Sequence, residues 1–275
     1  MQDEIACDFS CSHVIDVIPF NVDKTMTYAL GIRKLPEDSR PDSQRQRSLK
    51  SLIRKAGSPS PFIVDFCPTN NSRLARRSVG GGGGTDMLVK AVGPKKEVGG
   101  AIVYDLTAGF GQDSLVLLQN GASSVTMVER DPIVAALLQD AYRRLKLSTD
   151  ALAIELSERM KISVGDSAEI LKILTPDTHP HICYLDPMFP LRTKSSAVKK
   201  NMQILHSLLG TQEAPGDSET QQNDTTLLDA ALEIARKRVV VKRPINGRPL
   251  LSSRGVMPSF DFRGSVNRFD VYITA

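Results

Sequence analysis

Short apolar runs rich in β-branched residues recur along this chain at intervals that leave room for one helix between each pair. The runs are AIVYD (101–105), VTMVE (125–129), ISVG (162–165), ICYLD (182–186) and VVVK (239–242). Helical patterns fill 113–120, 132–147, 167–174, 195–209 and 226–237, and Asp131 followed by Pro132 is a capping residue with proline at the first helical position. Strands spaced by helices are joined by crossovers, which places them side by side in a mostly parallel sheet with helices on both faces. FDVYIT (269–274) reads as one more strand, antiparallel at an edge. The predicted fold class is therefore α/β and Rossmann-like.

This domain is predicted to span 98–275. Ahead of it, 71–97 reads as a basic connector with five glycines (Gly80 to Gly84) and a helix, and 1–70 as a small N-terminal α/β appendage with a polar linker. Strand candidates in the appendage are 14–18, 27–32 and 62–65. The stretch TQEAPGDSETQQNDTT (211–226) has one apolar residue, Ala214, and is predicted to be a mobile solvated loop. No apolar run approaches the roughly 18 residues of a membrane span, and Asp3, Glu4 and Asp8 stand where a secretory leader would be cationic. Four scattered cysteines do not make a disulfide framework. A cytoplasmic protein with free thiols and no membrane partner is expected. Cys7-x3-Cys11-x-His13 lacks the second half of a four-ligand site, so no metal is expected either.

The first strand runs into Asp105-Leu-Thr-Ala-Gly109-Phe-Gly111-Gln112-Asp113. By itself a G-x-G turn marks any strand-to-helix junction. Glu129, at the end of the next strand, adds a carboxylate where both hydroxyls of a ribose would be read. The helix after the turn opens on Asp113, which would repel a pyrophosphate, and Ser114 stands where a dinucleotide site has its third glycine. A nucleoside cofactor without phosphates and with positive groups suits this rim better, and S-adenosylmethionine is one. Asp166, before Ser167, would accept from the adenine amine; it is equally the cap of the following helix.

After the fourth strand comes Tyr184-Leu-Asp186-Pro187-Met-Phe189-Pro190. An acidic residue, a proline and an aromatic at a strand's carboxyl end resemble the Asp/Asn-Pro-Pro-aromatic motif of methyltransferases that modify exocyclic base amines. Such a nitrogen has its lone pair delocalised into the ring, and acceptors on its two N–H bonds would orient it for attack. Asp186 and the carbonyl of Pro187 are assigned those roles, and Phe189 a stacking face for an extruded base. Elsewhere such a segment is a stiff loop with a core aromatic; its place in a cofactor-binding sheet favours the chemical reading. Arg192, Lys194, Lys199 and Lys200 follow directly, Arg76 and Arg77 precede the glycines, and Lys242-Arg243 ends the fifth strand. With 35 Lys and Arg against 31 Asp and Glu, the net charge of +4 decides little. The clustering of cations around the predicted rim is what suggests phosphate contacts.

Taken in order, DLTAGFGQD (105–113), MVERDPIVAALL (127–138), YLDPMFP (184–190) with K-S-x-x-V-K-K after it, and RVVVKRP (238–244) closely resemble the bacterial J-type small-subunit ribosomal RNA guanine-N2 methyltransferases. IVDF (63–66) and the R-R-x-x-G-G-G stretch extend the likeness from about Ile63 to Ala275. The resemblance implies a class I S-adenosylmethionine-dependent methyltransferase whose partner is small-subunit (16S) rRNA or the assembled small subunit. By motif it assigns cofactor contacts to Gln112 and Asp113, to Glu129 and Arg130, to Asp166 and Ser167, and to Asp186, joining Asp105, Gly109 and Gly111 from the glycine turn. Gln112 replaces an arginine of the family pattern, and Asp166-Ser167 replaces two serines. The residues by themselves leave open a methyltransferase acting on DNA or another RNA, and a catalytically silent RNA-binding factor of the same fold.

Overall fold

The computed structural model of the protein describes residues 13–22, 25–34, 62–68, 84–187 and 217–274. Seven strands form its main sheet: β3 (Ile102–Asp105), β4 (Ser124–Glu129), β5 (Met160–Val164), β6 (Ile182–Leu185), β7 (Arg238–Pro244), β8 (Phe260–Arg263) and β9 (Asn267–Ile273). Their order is β5-β4-β3-β6-β7-β9-β8. The first five are parallel, and β9 runs antiparallel to both β7 and β8. The strand predicted near the C-terminus is thus antiparallel but interior. The edge belongs to β8, whose sequence FDFR is too short and too charged to announce a strand.

The sheet is covered on both sides, and the strand residues show it by alternation. On β6, Ile182 and Tyr184 enter one apolar cluster, while Cys183 and Leu185 enter the other. On β7, Val240 faces the first cluster, and Val239 and Val241 the second. The first cluster also takes residues of α1 (Gly84–Val92), α2 (Gln112–Gln119), α3 (Pro132–Lys146) and α4 (Ala151–Arg159). The second is filled by α5 (Ser167–Lys172) and α6 (Asp217–Ile234). Continuous runs such as VVV are therefore needed, because each strand contributes apolar atoms to two layers.

α6 begins at Asp217, so 217–226 is helical where a loop was expected. Gln222 and Asn223 are exposed, and Leu228 and Ala231 are buried. The sequence DSETQQNDTT carries no apolar periodicity, which is why pattern reading misses the start of this helix. The rest of that loop (211–216) and the predicted helix 195–209 lie outside the described residues. α3 starts as predicted: the Asp131 carboxylate accepts from the backbone N–H of Ile133 and Val134 at 2.9 Å, with Pro132 at the first position.

Of the N-terminal appendage, the described residues form a hairpin of β1 (His13–Val22) and β2 (Thr25–Lys34), with an extended segment at 62–68 bridged to Ile32 through Phe62. It is not a separate unit. Val22, Ile32, Val64 and Phe66 sit in the first cluster of the main domain. The joint is polar as well as apolar: Arg144 of α3 is fully buried, its Nε 2.9 Å from Asp140 and its Nη1 3.4 Å from Asp65. Its Nη2 donates to the carbonyl of Val64, and the guanidinium lies 4.5 Å from the ring centroid of Phe20. Asp140 also accepts from the N–H of Leu30 in β2 at 2.9 Å. One guanidinium thereby holds β1, the 62–68 segment and α3 together.

Removing it takes from Asp65 and Asp140 the buried cation they share, while Asp140 keeps the half-exposed Arg143 at 2.9 Å. Arg144→Met is expected to cost ~3–5 kcal/mol of unfolding free energy in urea titrations, with Leu30 and its neighbours losing amide protection first in hydrogen exchange.

Candidate active site

Moving along the sheet, chain order runs outward from β3 to β4 and β5, then jumps back to β6 and continues to β7 the other way. Strand order reverses between β3 and β6, and a crevice opens outside the carboxyl ends of strands at such a point. Asp105 ends β3 and Asp186 follows β6, so the two predicted carboxylates flank the reversal. The loop after β3 is tied across the gap: Leu106 N donates to the carbonyl of Tyr184 at 2.9 Å, and Asp186 N donates to the Thr107 hydroxyl at 2.6 Å.

The glycine turn is shaped by packing as much as by access. Gly111 has φ +69°, and a Cβ there would lie 2.9 Å from Met127 Sδ and from Phe66 Cζ. Only glycine fits, since both the backbone conformation and the room exclude a side chain. Phe62 packs on the neighbouring Phe110 with ring centroids 4.7 Å apart. The N-terminal segment therefore supports the turn from beneath.

Glu129 is fixed by two backbone donors, one on each oxygen: Gly109 N to Oε2 and Asp131 N to Oε1, both at 2.8 Å. Each oxygen keeps a further lone pair, so the carboxylate is oriented and still able to accept. Arg130 beside it is exposed. Asp166 caps α5, its Oδ1 accepting from Ala168 N and Glu169 N at 2.9 and 3.2 Å, and Ser167 donates to the carbonyl of Leu106. Gln112 and Asp113 open α2. All the predicted cofactor contacts thus lie along the carboxyl ends of β3, β4, β5 and β6. Pro187 is buried next to Asp186. Phe189, Arg192, Lys194, Lys199, Lys200, Arg76 and Arg77 lie outside the described residues.

Lys242 requires a correction. Expected to meet phosphates, its ammonium is instead 2.8 Å from Asp113 Oδ2 and 2.8 Å from Asp186 Oδ2. Two flanking carboxylates leave it bound within the protein rather than presented to RNA. Arg243, the next residue, donates its Nε–H to the carbonyl of Arg248 at 2.9 Å. Three further members were not singled out from sequence. Tyr184 donates its hydroxyl to Asp113 at 2.6 Å, Ser114 donates to Asp105 Oδ2 at 2.6 Å, and Thr107 receives the Asp186 N–H. Each pairing joins residues from different elements, which no spacing along one segment signals. A separate hollow of about 310 Å³, lined by Lys90, Lys95, Lys96 and Phe262 among others, contains none of the predicted site residues.

Electrostatically the rim is crowded with acid. Burial pushes the Asp105 carboxyl up to about 7 from its ordinary 3.8, with the charge of Asp113 adding to the rise and the Ser114 hydrogen bond opposing it. Burial also raises Glu129 and Asp186, the latter against the opposing pull of Lys242. Among the described residues, Asp113 and Asp186 share the ammonium of Lys242. Folded Asp105 retains a proton that the unfolded chain releases above its ordinary value, so stability falls as pH rises from about 4 through about 7. Asp105→Asn is expected to stabilise the ligand-free protein at pH 8 by up to ~4 kcal/mol, the gain shrinking toward zero as pH falls to about 4 in denaturation curves.

Comparison with known proteins supplies the family. The family described as "Putative SAM-dependent methyltransferase" matches residues 30–274. Ribosomal RNA small subunit methyltransferase J of Dechloromonas aromatica is 40% identical over 214 residues, covering 78% of this chain and 79% of that protein. The protein of the same name from Pseudomonas aeruginosa is 38% identical over 228 residues, covering 82% and 79%. The crystal structure of a SAM-dependent methyltransferase from Neisseria gonorrhoeae superposes with a TM-score of 0.59 at 35% identity, covering 80% of this chain and 77% of that one. The sheet order, the acidic rim at its reversal and these relatives agree: the chain belongs to the S-adenosylmethionine-dependent methyltransferases, in the family of ribosomal RNA small subunit methyltransferase J.

Proposed function

We propose that the protein methylates the exocyclic N2 amine of one guanosine in small-subunit ribosomal RNA, either free or in the assembled subunit, in the cytoplasm. The observation that carries this reading is the Asp186 carboxylate at the head of DPMFP. It sits at the strand reversal, with its own N–H anchored on Thr107 and one oxygen, Oδ2, held by Lys242. Relatives named for ribosomal RNA small subunit methylation support the choice of substrate.

The rim fits S-adenosylmethionine by the chemistry of its donor set. It has acceptors in excess over cations, several raised by burial, as a site for a ligand with sulfonium and ammonium groups should. Glu129, fixed through both oxygens, would hold the ribose hydroxyls; Asp166 would take the adenine amine; the Gly109–Asp113 turn would enclose the rest. When bound, the cofactor supplies a methyl group activated as an electrophile by the adjacent sulfonium.

What the protein adds is alignment. Asp186 Oδ1 has no partner among the described residues and is the acceptor assigned to one N–H of the base amine, with the carbonyl of Pro187 assigned to the other. Held this way, the nitrogen lone pair is localised and directed. As N2 is alkylated it becomes acidic, and Asp186 is placed to receive the departing proton. Fixing the two reactants together contributes ~7–11 kcal/mol in favourable cases, so no strong base is needed. Phe189 and the basic run 192–200 complete the reading as stacking face and phosphate contacts.

Nucleoside mass spectrometry of small-subunit rRNA from cells lacking the gene should show loss of one N2-methylguanosine; an unchanged profile would overturn the proposal. In the purified enzyme, Asp186→Ala is expected to lower kcat by at least ~100-fold while cofactor affinity by calorimetry stays within a few-fold. Glu129→Ala should do the reverse first, weakening cofactor binding ~10-fold or more, since charge-assisted hydrogen bonds contribute ~1.5–3 kcal/mol each.

A further inference from the structure

We propose that Lys242 is the positioning residue of this active site: it fixes the Asp186 carboxylate in place and in its charged form by bridging it to Asp113. The inference rests on the reading of Asp186 as the group that meets the base amine.

The arrangement follows from the pleat. Leu185 pairs with Val241 across β6 and β7, and both side chains enter the second apolar cluster. The residues that follow, Asp186 and Lys242, therefore fall on the opposite side of the sheet, with Tyr184 and Val240. That is the side covered by α2, whose first turn holds Asp113. Asp113 Oδ2 receives both the Tyr184 hydroxyl at 2.6 Å and the Lys242 ammonium at 2.8 Å. The ammonium then reaches Asp186 Oδ2 at 2.8 Å. Four side chains from three elements thus form one chain of hydrogen bonds, Tyr184–Asp113–Lys242–Asp186. Its two ends differ: Tyr184 is buried, whereas the Asp186 side chain is 39% exposed, with Asp113 and Lys242 between them at 28% and 21%. The end of the chain is the carboxylate assigned to substrate.

Lys242 does two things there. It removes the rotational freedom of Asp186, leaving Oδ1 at a defined place. It also offsets the two influences that favour the protonated carboxyl, burial and the Asp113 charge. Among the described residues, Asp105 on β3 is a further acidic group near Asp186, and Tyr184 on β6 a further titratable neighbour. A protonated Asp186 would lose the charge with which it accepts the amine N–H and the departing proton. A second carboxylate close by makes the ammonium necessary, and Asp113 in turn holds the ammonium.

Opposite charge changes should therefore move the pH profile in opposite directions. With cofactor and small-subunit rRNA saturating, Lys242→Met is expected to shift the acid limb of kcat upward by ~1–2 pH units, so that activity lost on the acid side returns as the pH is raised. Asp113→Asn should shift the same limb downward, and Lys242→Arg should keep a wild-type limb. Cofactor affinity by calorimetry should stay within a few-fold in Lys242→Met. A role confined to stability would lower activity equally at every pH and shift no limb, and that result overturns the inference. Should Lys242→Met fail to fold by thermal melting, Asp113→Asn decides alone: a lowered limb supports the bridge, an unmoved limb refutes it. Wild-type enzyme unable to methylate the rRNA would instead defeat the underlying functional reading.

Discussion

Carboxylates gathered at one lip of a sheet repel each other and lose hydration, and the rim of this protein has to hold them there. Asp105 relieves the conflict by keeping its proton into the neutral range, because burial outweighs the opposing hydrogen bond from Ser114. Glu129 relieves it with two backbone N–H donors. Asp113 and Asp186 relieve it by sharing the ammonium of Lys242. Three different solutions to the same electrostatic cost coexist within a few residues of the strand reversal. Glu129 and Asp186, both only partly buried, keep acceptor capacity at the edge, which makes it ready for a cationic ligand before one arrives. Preorganisation of this kind moves the cost of ordering into folding, where core burial outweighs it.

Folding in turn depends on parts of the chain far from the rim. Phe66 lies where a side chain on Gly111 would have to go, and Phe62 packs on Phe110, so the segment 62–68 underlies the turn that carries Gly109. That segment is held by Arg144, whose guanidinium also engages Asp140, itself bonded to β2. The hairpin is therefore mechanically part of the methyltransferase domain. The packing reaches the glycine turn through the aromatic contacts of Phe62 and Phe66.

Legibility differed sharply between elements. The five parallel strands could be read because burial on two faces demands unbroken apolar runs, and α3 could be read because Asp131-Pro132 is a local capping signal. β8 and the first turns of α6 could not, since FDFR alternates over only 4 residues, two of them charged, and 217–226 is almost wholly polar. In the site, Asp105, Glu129, Asp166 and Asp186 were visible as acids at strand ends, a position the chain order itself defines. Lys242 was visible too, but with the wrong partner. A lysine at a strand end has the same local sequence whether it meets a phosphate or a carboxylate.

The sequence by itself determined the order of strands and helices, the placement of acids at the carboxyl edge, and the family, because these depend on local periodicity and on motifs within single segments. Only the tertiary structure decided which charges neutralise one another. β6 and β7 are more than fifty residues apart in sequence and adjacent in the sheet, and pairing Leu185 with Val241 puts Asp186 and Lys242 on the face where α2 delivers Asp113. The energy of an ion pair depends on separation in space and on the water excluded around it. Neither quantity exists until the strands are laid side by side.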